Sequence, residues 1–113
     1  MKSQFTNLIS VFPVKDLRTS LAWYSKWLGQ PDVIPMEGVA EYQLTENAWL
    51  QLTQEEGTAT SIILGVDNIH KVREQLLNQG LEPSDIMDWE VVFTCEIEDP
   101  DGHRISFAQE VAI

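Results

Sequence analysis

The sequence predicts an α+β fold in which one strand–helix–strands unit is used twice. Three observations carry that expectation. Apolar residues alternate on both sides of a tight turn at Asp99-Pro100-Asp101-Gly102, with Phe93, Cys95 and Ile97 before it and Ile105 and Phe107 after it. That is the pattern of a hairpin with one buried face. Two segments space their apolar residues as helices do, and each follows an Asp or Asn and ends at a glycine. The whole order then restarts near Ser61, about halfway along the chain.

The first unit opens with an apolar strand near residues 5–14. Its run Leu8-Ile9-Ser10-Val11-Phe12-Pro13-Val14 is short and lacks a small-residue cleavage pattern, so a buried strand explains it better than a signal peptide. Asp16 stands where an N-cap belongs. Leu17, Leu21, Tyr24 and Leu28 follow at helical spacing, Trp23 and Trp27 widen the apolar face, and Gly29 ends the run. Strands are expected at Val33–Met36, Val39–Leu44 and Ala48–Thr53, with turns at Gly38 and Glu46-Asn47.

The second unit repeats this order. Ser61–Val66 reads as a short strand. Asp67 or Asn68 caps a helix carrying Ile69, Val72, Leu76 and Leu77, closed by Gly80. Strands near Ile86–Met87, Val91–Ile97 and His103–Gln109 complete it. Pro100 presets φ for the last turn, and Gly102 supplies the positive φ.

Composition bounds the function. The 113 residues suit one domain, with 43% hydrophobic residues and no apolar run long enough to span a bilayer. A formal net charge of −11, spread along the chain, argues against nucleic acid as a partner and favours cationic ligands. The single cysteine, Cys95, forms no internal disulfide, and a cytoplasmic home is expected.

The motifs resemble those of the glyoxalase / bleomycin-resistance / extradiol-dioxygenase superfamily, the vicinal oxygen chelate (VOC) fold. Val14-Lys15-Asp16-Leu17, Ser20-Leu21-Ala22-Trp23-Tyr24 and Leu28-Gly29 are similar to its Val-x-Asp-Leu, Ser-x-x-Phe-Tyr and Leu-Gly pattern, with Trp23 in place of Phe. Val66-Asp67-Asn68 through Gly80, and the turn at 99–102, match its second half. The resemblance implies a single domain over 1–113, made of two βαβββ modules at about 1–56 and 57–113. Their mixed sheets curve around a cleft. It also implies a homodimer.

Catalytic members hold a divalent metal on His, Gln or Glu ligands. Carried over by motif, the ligand positions fall at Ile9, at Gln51, at Ser61 (or Thr60 if the register slips) and at Ser106. Isoleucine cannot ligate a metal, and neutral serine is a poor ligand beside imidazole or carboxylate. His70 falls early in the second helix and His103 in the turn, away from those positions, and a surface histidine there is expected to be structural or solvated. No metal, cofactor or catalytic residue is therefore expected.

Strand alternation then predicts the cleft face: Asn7, Ile9 and Val11; Trp49, Gln51 and Thr53; Ser61 and Ile63; Arg104, Ser106 and Ala108. The expected ligand-binding set is Ile9, Trp49, Gln51, Ser61, Ile63, Arg104 and Ser106. Trp49 is equally compatible with a pocket wall and with the core. Trp89, in the acidic stretch Asp85–Glu90, suits either cation stacking or packing on its own domain. Glu41, Glu96 and Glu98 read as solvated strand charges. The expectation that follows is a metal-independent binding protein that sequesters a cationic or planar small molecule such as an antibiotic. The rivals are a lyase, isomerase or dioxygenase-like enzyme with an unusual metal site, and a purely structural role.

Overall fold

Alternation and capping act together to give the first βαβββ module, in a computed structural model that describes residues 1–111. It holds β1 (Leu8–Val14), α1 (Leu17–Leu28), β2 (Val33–Met36), β3 (Val39–Thr45) and β4 (Ala48–Gln54). The strand order is β1-β4-β3-β2, with β1 parallel to β4 and the other pairs antiparallel. One face carries Phe12, Val14, Ala40, Tyr42, Leu50 and Leu52, all buried where α1 packs on β3 and β4. From the helix, Ser20 and Tyr24 are fully buried. The Tyr24 ring lies 4.7 Å edge-on from Trp23 and 6.2 Å from Tyr42. Trp23 and Trp27 are half-buried, as a stripe at the helix flank must be.

The second module repeats the layout with β5 (Ser61–Gly65), α2 (Ile69–Asn78), β6 (Met87–Asp88), β7 (Val92–Glu98) and β8 (Arg104–Glu110). Its order is β5-β8-β7-β6, again with a parallel β5–β8 pair. Ile69, Leu76, Leu81, Cys95, Ile97, Ile105 and Phe107 form its core. Burial pushes the Cys95 thiol above its ordinary pKa, the mark of an inert side chain rather than a nucleophile. Met1–Ala59 and the chain from Thr60 onward are two compact units.

One device recurs in both. Asp16 caps α1 by accepting from the Arg18 N–H at 3.1 Å, and Asn68, rather than Asp67, caps α2 by accepting from the Lys71 N–H at 3.1 Å. In each helix the first N–H donates to a glutamine at the end of the module's last strand. Leu17 donates to Gln54 Oε1 at 2.9 Å, and Ile69 to Gln109 Oε1 at 2.8 Å. These bonds tie an otherwise orphaned helix N–H to the sheet.

Some local expectations shift. β1 begins at Leu8, because residues Lys2–Gln4 close a short 3-10 turn, so Asn7 lies outside the strand. His103 is not a surface residue. It is 1% exposed, and its Nδ1 accepts the Thr60 N–H at 3.0 Å. The buried Asp99 folds the turn by accepting from the N–H groups of Asp101 and His103, with Gly102 at φ 85°.

Candidate ligand-binding faces

Each sheet has a second face, opposite its helix, and the strand registers decide which side chains share it. In the first module Ile9 pairs with Trp49, Val11 with Gln51, and Gln51 with Glu41. Ile9, Val11, Trp49, Gln51, Thr53 and Glu41 therefore stand on one surface, which is apolar at its β1 edge and polar at its centre. The polar centre is a chain of side-chain hydrogen bonds. Thr53 Oγ1 donates to Gln51 Oε1 at 2.8 Å, and Gln51 Nε2 donates to Glu41 Oε2 at 2.8 Å. Trp49 is half-buried on this face, not among the fully buried residues beneath α1.

In the second module Ser61 pairs with Arg104 and Ile63 with Ser106, and Ser106 in turn pairs with Glu96. Ile63 is 73% exposed. Gly65 and Ala108 leave a shallow floor beside it, since a Cβ at Gly65 would meet nothing within 4 Å. A cavity of about 940 Å³ opens over this part of the sheet, lined by Ile63, Gly65, Val92 and Ala108 among others. A second cavity, of about 480 Å³, lies over Met87, Trp89, Thr94, Glu96 and Arg104. Both volumes are of the size that holds a small organic ligand.

The structure thus gathers Ile9, Trp49 and Gln51 on one sheet, and Ser61, Ile63, Arg104 and Ser106 on the other. Sequence reasoning took Glu41 and Glu96 as solvated strand charges and did not place them in the site; both are partly exposed and stand on these faces. Glu96 Oε2 accepts from Ser106 Oγ at 3.5 Å and lies 3.8 Å from Arg104 Nη1. The available signal was their place in the alternation: each pairs directly with a position already singled out, Gln51 or Ser106.

The residues at the metal-ligand positions do not fit a metal. Ile9 has no lone pair. Gln51 has both ends of its amide engaged. Ser61 and Ser106 offer neutral hydroxyls. Among the described residues, no group of three or more His, Cys, Asp or Glu side chains is placed to hold a metal ion. No helix among them is long and apolar enough to cross a membrane.

No family model matches the chain, and no curated protein matches it. Solved structures do. A glyoxalase / bleomycin resistance protein from Catenulispora acidiphila is 28% identical, with a TM-score of 0.84 over 93% of this chain and 98% of that one. An antibiotic binding protein from Streptomyces is 18% identical, with a TM-score of 0.74 over 91% and 93%. A lactoylglutathione lyase from Agrobacterium tumefaciens is 13% identical, with a TM-score of 0.75 over 90% and 91%. The last two likenesses speak for the fold alone. With the duplicated βαβββ architecture, the motif order and the nearly full-length match to the first, the chain belongs to the glyoxalase / bleomycin-resistance superfamily.

Proposed function

We propose that the protein binds a small molecule without a metal, sequestering a planar or cationic compound, with an antibiotic as one such cargo. The observation that carries this reading is the set of side chains at the ligand positions: Ile9, Gln51, Ser61 and Ser106 cannot supply what metal-assisted chemistry needs. The open faces have the character of a binding surface instead, with apolar and aromatic residues around a few placed polar groups. The charge of −11 favours a cation at long range. The similarity to an antibiotic binding protein agrees with this in fold. The protein acts by holding its cargo, so no bond is made or broken.

The reading includes a symmetric homodimer in the cytoplasm. Ile9, Val11, Ile34, Met36, Ile63 and Val91 are exposed, and a second copy covers such apolar surface better than water does. Light scattering returning a monomer mass at micromolar concentration would remove the dimer from the proposal.

The decisive experiment pairs metal analysis with ligand titration. Protein purified after mild chelation is expected to carry no zinc, nickel, manganese or iron, and adding these metals is expected to bring no lyase or ring-cleaving activity. Planar cations are expected to quench tryptophan fluorescence saturably, less so in added salt, while anions of the same size do not. Trp49→Ala is expected to weaken binding by about 1–3 kcal/mol, the loss typical of a central aromatic contact. Near-stoichiometric metal, or equal binding of cations and anions, sinks the reading. The enzyme alternative draws on Glu41 and Glu96, carboxylates on the open faces that acid–base chemistry could use. Turnover abolished by Glu41→Gln or Glu96→Gln would establish it in place of the binder.

A further inference from the structure

We infer that the second module carries its own cation subsite, with Trp89 as the wall and Glu96 as the counter-charge, for an ammonium group attached to an aromatic or apolar body. The inference rests on the reading of the protein as a small-molecule binder and says where the charge of the ligand is read.

Trp89 is 56% exposed, yet it is held in place. Its Nε1–H donates to Thr94 Oγ1 at 2.8 Å, and its backbone N–H donates to the Val92 carbonyl at 3.0 Å. The next residue, Glu90, takes a left-handed φ of 73°, with its N–H bonded to Asp88 Oδ1 at 2.8 Å. A large aromatic fixed in solvent gains little for the fold by being there. It is pre-organised for something that lands on it.

Glu96 stands two residues beyond Thr94, on the same side of β7, and lines the same 480 Å³ cavity as Trp89. Its backbone is clamped on the β6 side. The Glu96 N–H donates to Ser84 Oγ at 2.9 Å, and its carbonyl accepts the Ser84 N–H at 2.9 Å. The carboxylate itself is held loosely, by Ser106 at 3.5 Å and Arg104 at 3.8 Å. Both distances are long for such contacts, and the Arg104 side chain is 60% exposed. Arg104 is therefore a displaceable placeholder. A ligand ammonium can take its place beside Glu96 while its body lies against the indole and the Met87 thioether. Asp85, also on the cavity wall, is paired with Arg73 at 3.4 Å, so Glu96 is the carboxylate left to meet a ligand cation. A cation over an aromatic face beside a carboxylate is held by both fields.

The test titrates phenyltrimethylammonium into the nitrogen-15-labelled full chain and follows the indole N–H signals. Benzenesulfonate and neutral benzyl alcohol serve as controls, and Trp89→Phe assigns its signal. The Trp89 signal is expected to move saturably with the cation. Glu96→Gln is expected to weaken binding about threefold to thirtyfold, Trp89→Leu by a similar factor, and Arg104→Gln to tighten it. The opposite sign for Arg104 separates a cation site from one for a zwitterion, which would need both charges. Circular dichroism checks that each variant folds. If the cation binds but moves only other indoles, or Glu96→Gln changes nothing, the subsite is wrong and the binder reading stands. If only the neutral probe binds, the subsite is overturned alone; if only the anion binds, the cation-binding reading falls with it. If none of the three binds, both fall.

Discussion

The two modules share a plan and differ in what they expose. On the helix side they are near copies: buried alternating residues, an Asp or Asn cap, and a glutamine from the last strand on the first helical N–H. On the open side they diverge. The first module closes its polar centre through Thr53, Gln51 and Glu41 at 2.8 Å, leaving Ile9 and Trp49 as its apolar edge. The second leaves Glu96 loosely held and has a cavity floored by Gly65 and Ala108. The lesson is one of packing. The helix-facing side chains are close-packed and cannot change without cost, whereas the open face contributes little to the fold and is free to specialise.

The same contrast holds beneath the helices. The first module is built around an aromatic cluster, Tyr24 with Trp23, Trp27 and Tyr42, whereas among the described residues Phe107 is the one aromatic residue in the second module's otherwise mainly aliphatic core. The largest expected effect tests that cluster. Tyr24→Ala removes a fully buried ring and is expected to cost about 3–5 kcal/mol in urea unfolding. A loss below about 1 kcal/mol would mean that Tyr24 is not the centre of the module.

Two glycines sharpen the comparison from opposite sides. A Cβ at Gly57 would clash with the Pro13 side chain, so Gly57→Ala is expected to destabilise by about 1–3 kcal/mol through overpacking. A neutral result in thermal unfolding would show that the segment after β4 is free to move off Pro13.

Tyr42 gives the first module a pH handle through a buried phenol. Burial, reinforced by the charge of Asp32, pushes its phenol up to about 12. Its hydroxyl donates to the Gly29 carbonyl at 3.1 Å. The unfolded chain gives up this proton near pH 10 while the folded chain keeps it, so stability falls as pH rises from about 10 toward 12. By pH 11 this contribution is about 1 kcal/mol, and it is expected to vanish in Tyr42→Phe. Equal alkaline losses in the two proteins would refute it.

The smallest effect belongs to Gly65. A Cβ there meets nothing within 4 Å, so Gly65→Ala is expected to stabilise by about 0.4–1 kcal/mol, mainly by restricting the unfolded chain. It would also narrow the cavity whose floor Gly65 forms. Stabilisation with weakened ligand binding would mark that floor as part of the site. Destabilisation would show that the strand does not tolerate the methyl group.

The sequence by itself determined the order of elements, the caps, the turn at 99–102 and which strand residues face the helices. These are local properties: period, capping chemistry and turn chemistry are written in neighbouring residues. It also determined what the metal-ligand positions lack, because an isoleucine cannot ligate a metal in any fold. What only the tertiary structure decided lies across strands. That Glu41 meets Gln51, that Glu96 meets Ser106 and Arg104, and that Gln54 and Gln109 each reach back to a helix depends on register and strand order. Residues far apart in sequence are there brought to hydrogen-bonding distance. His103 shows the same limit: a polar residue beside a turn reads as exposed until the Thr60 N–H that it satisfies is seen against it.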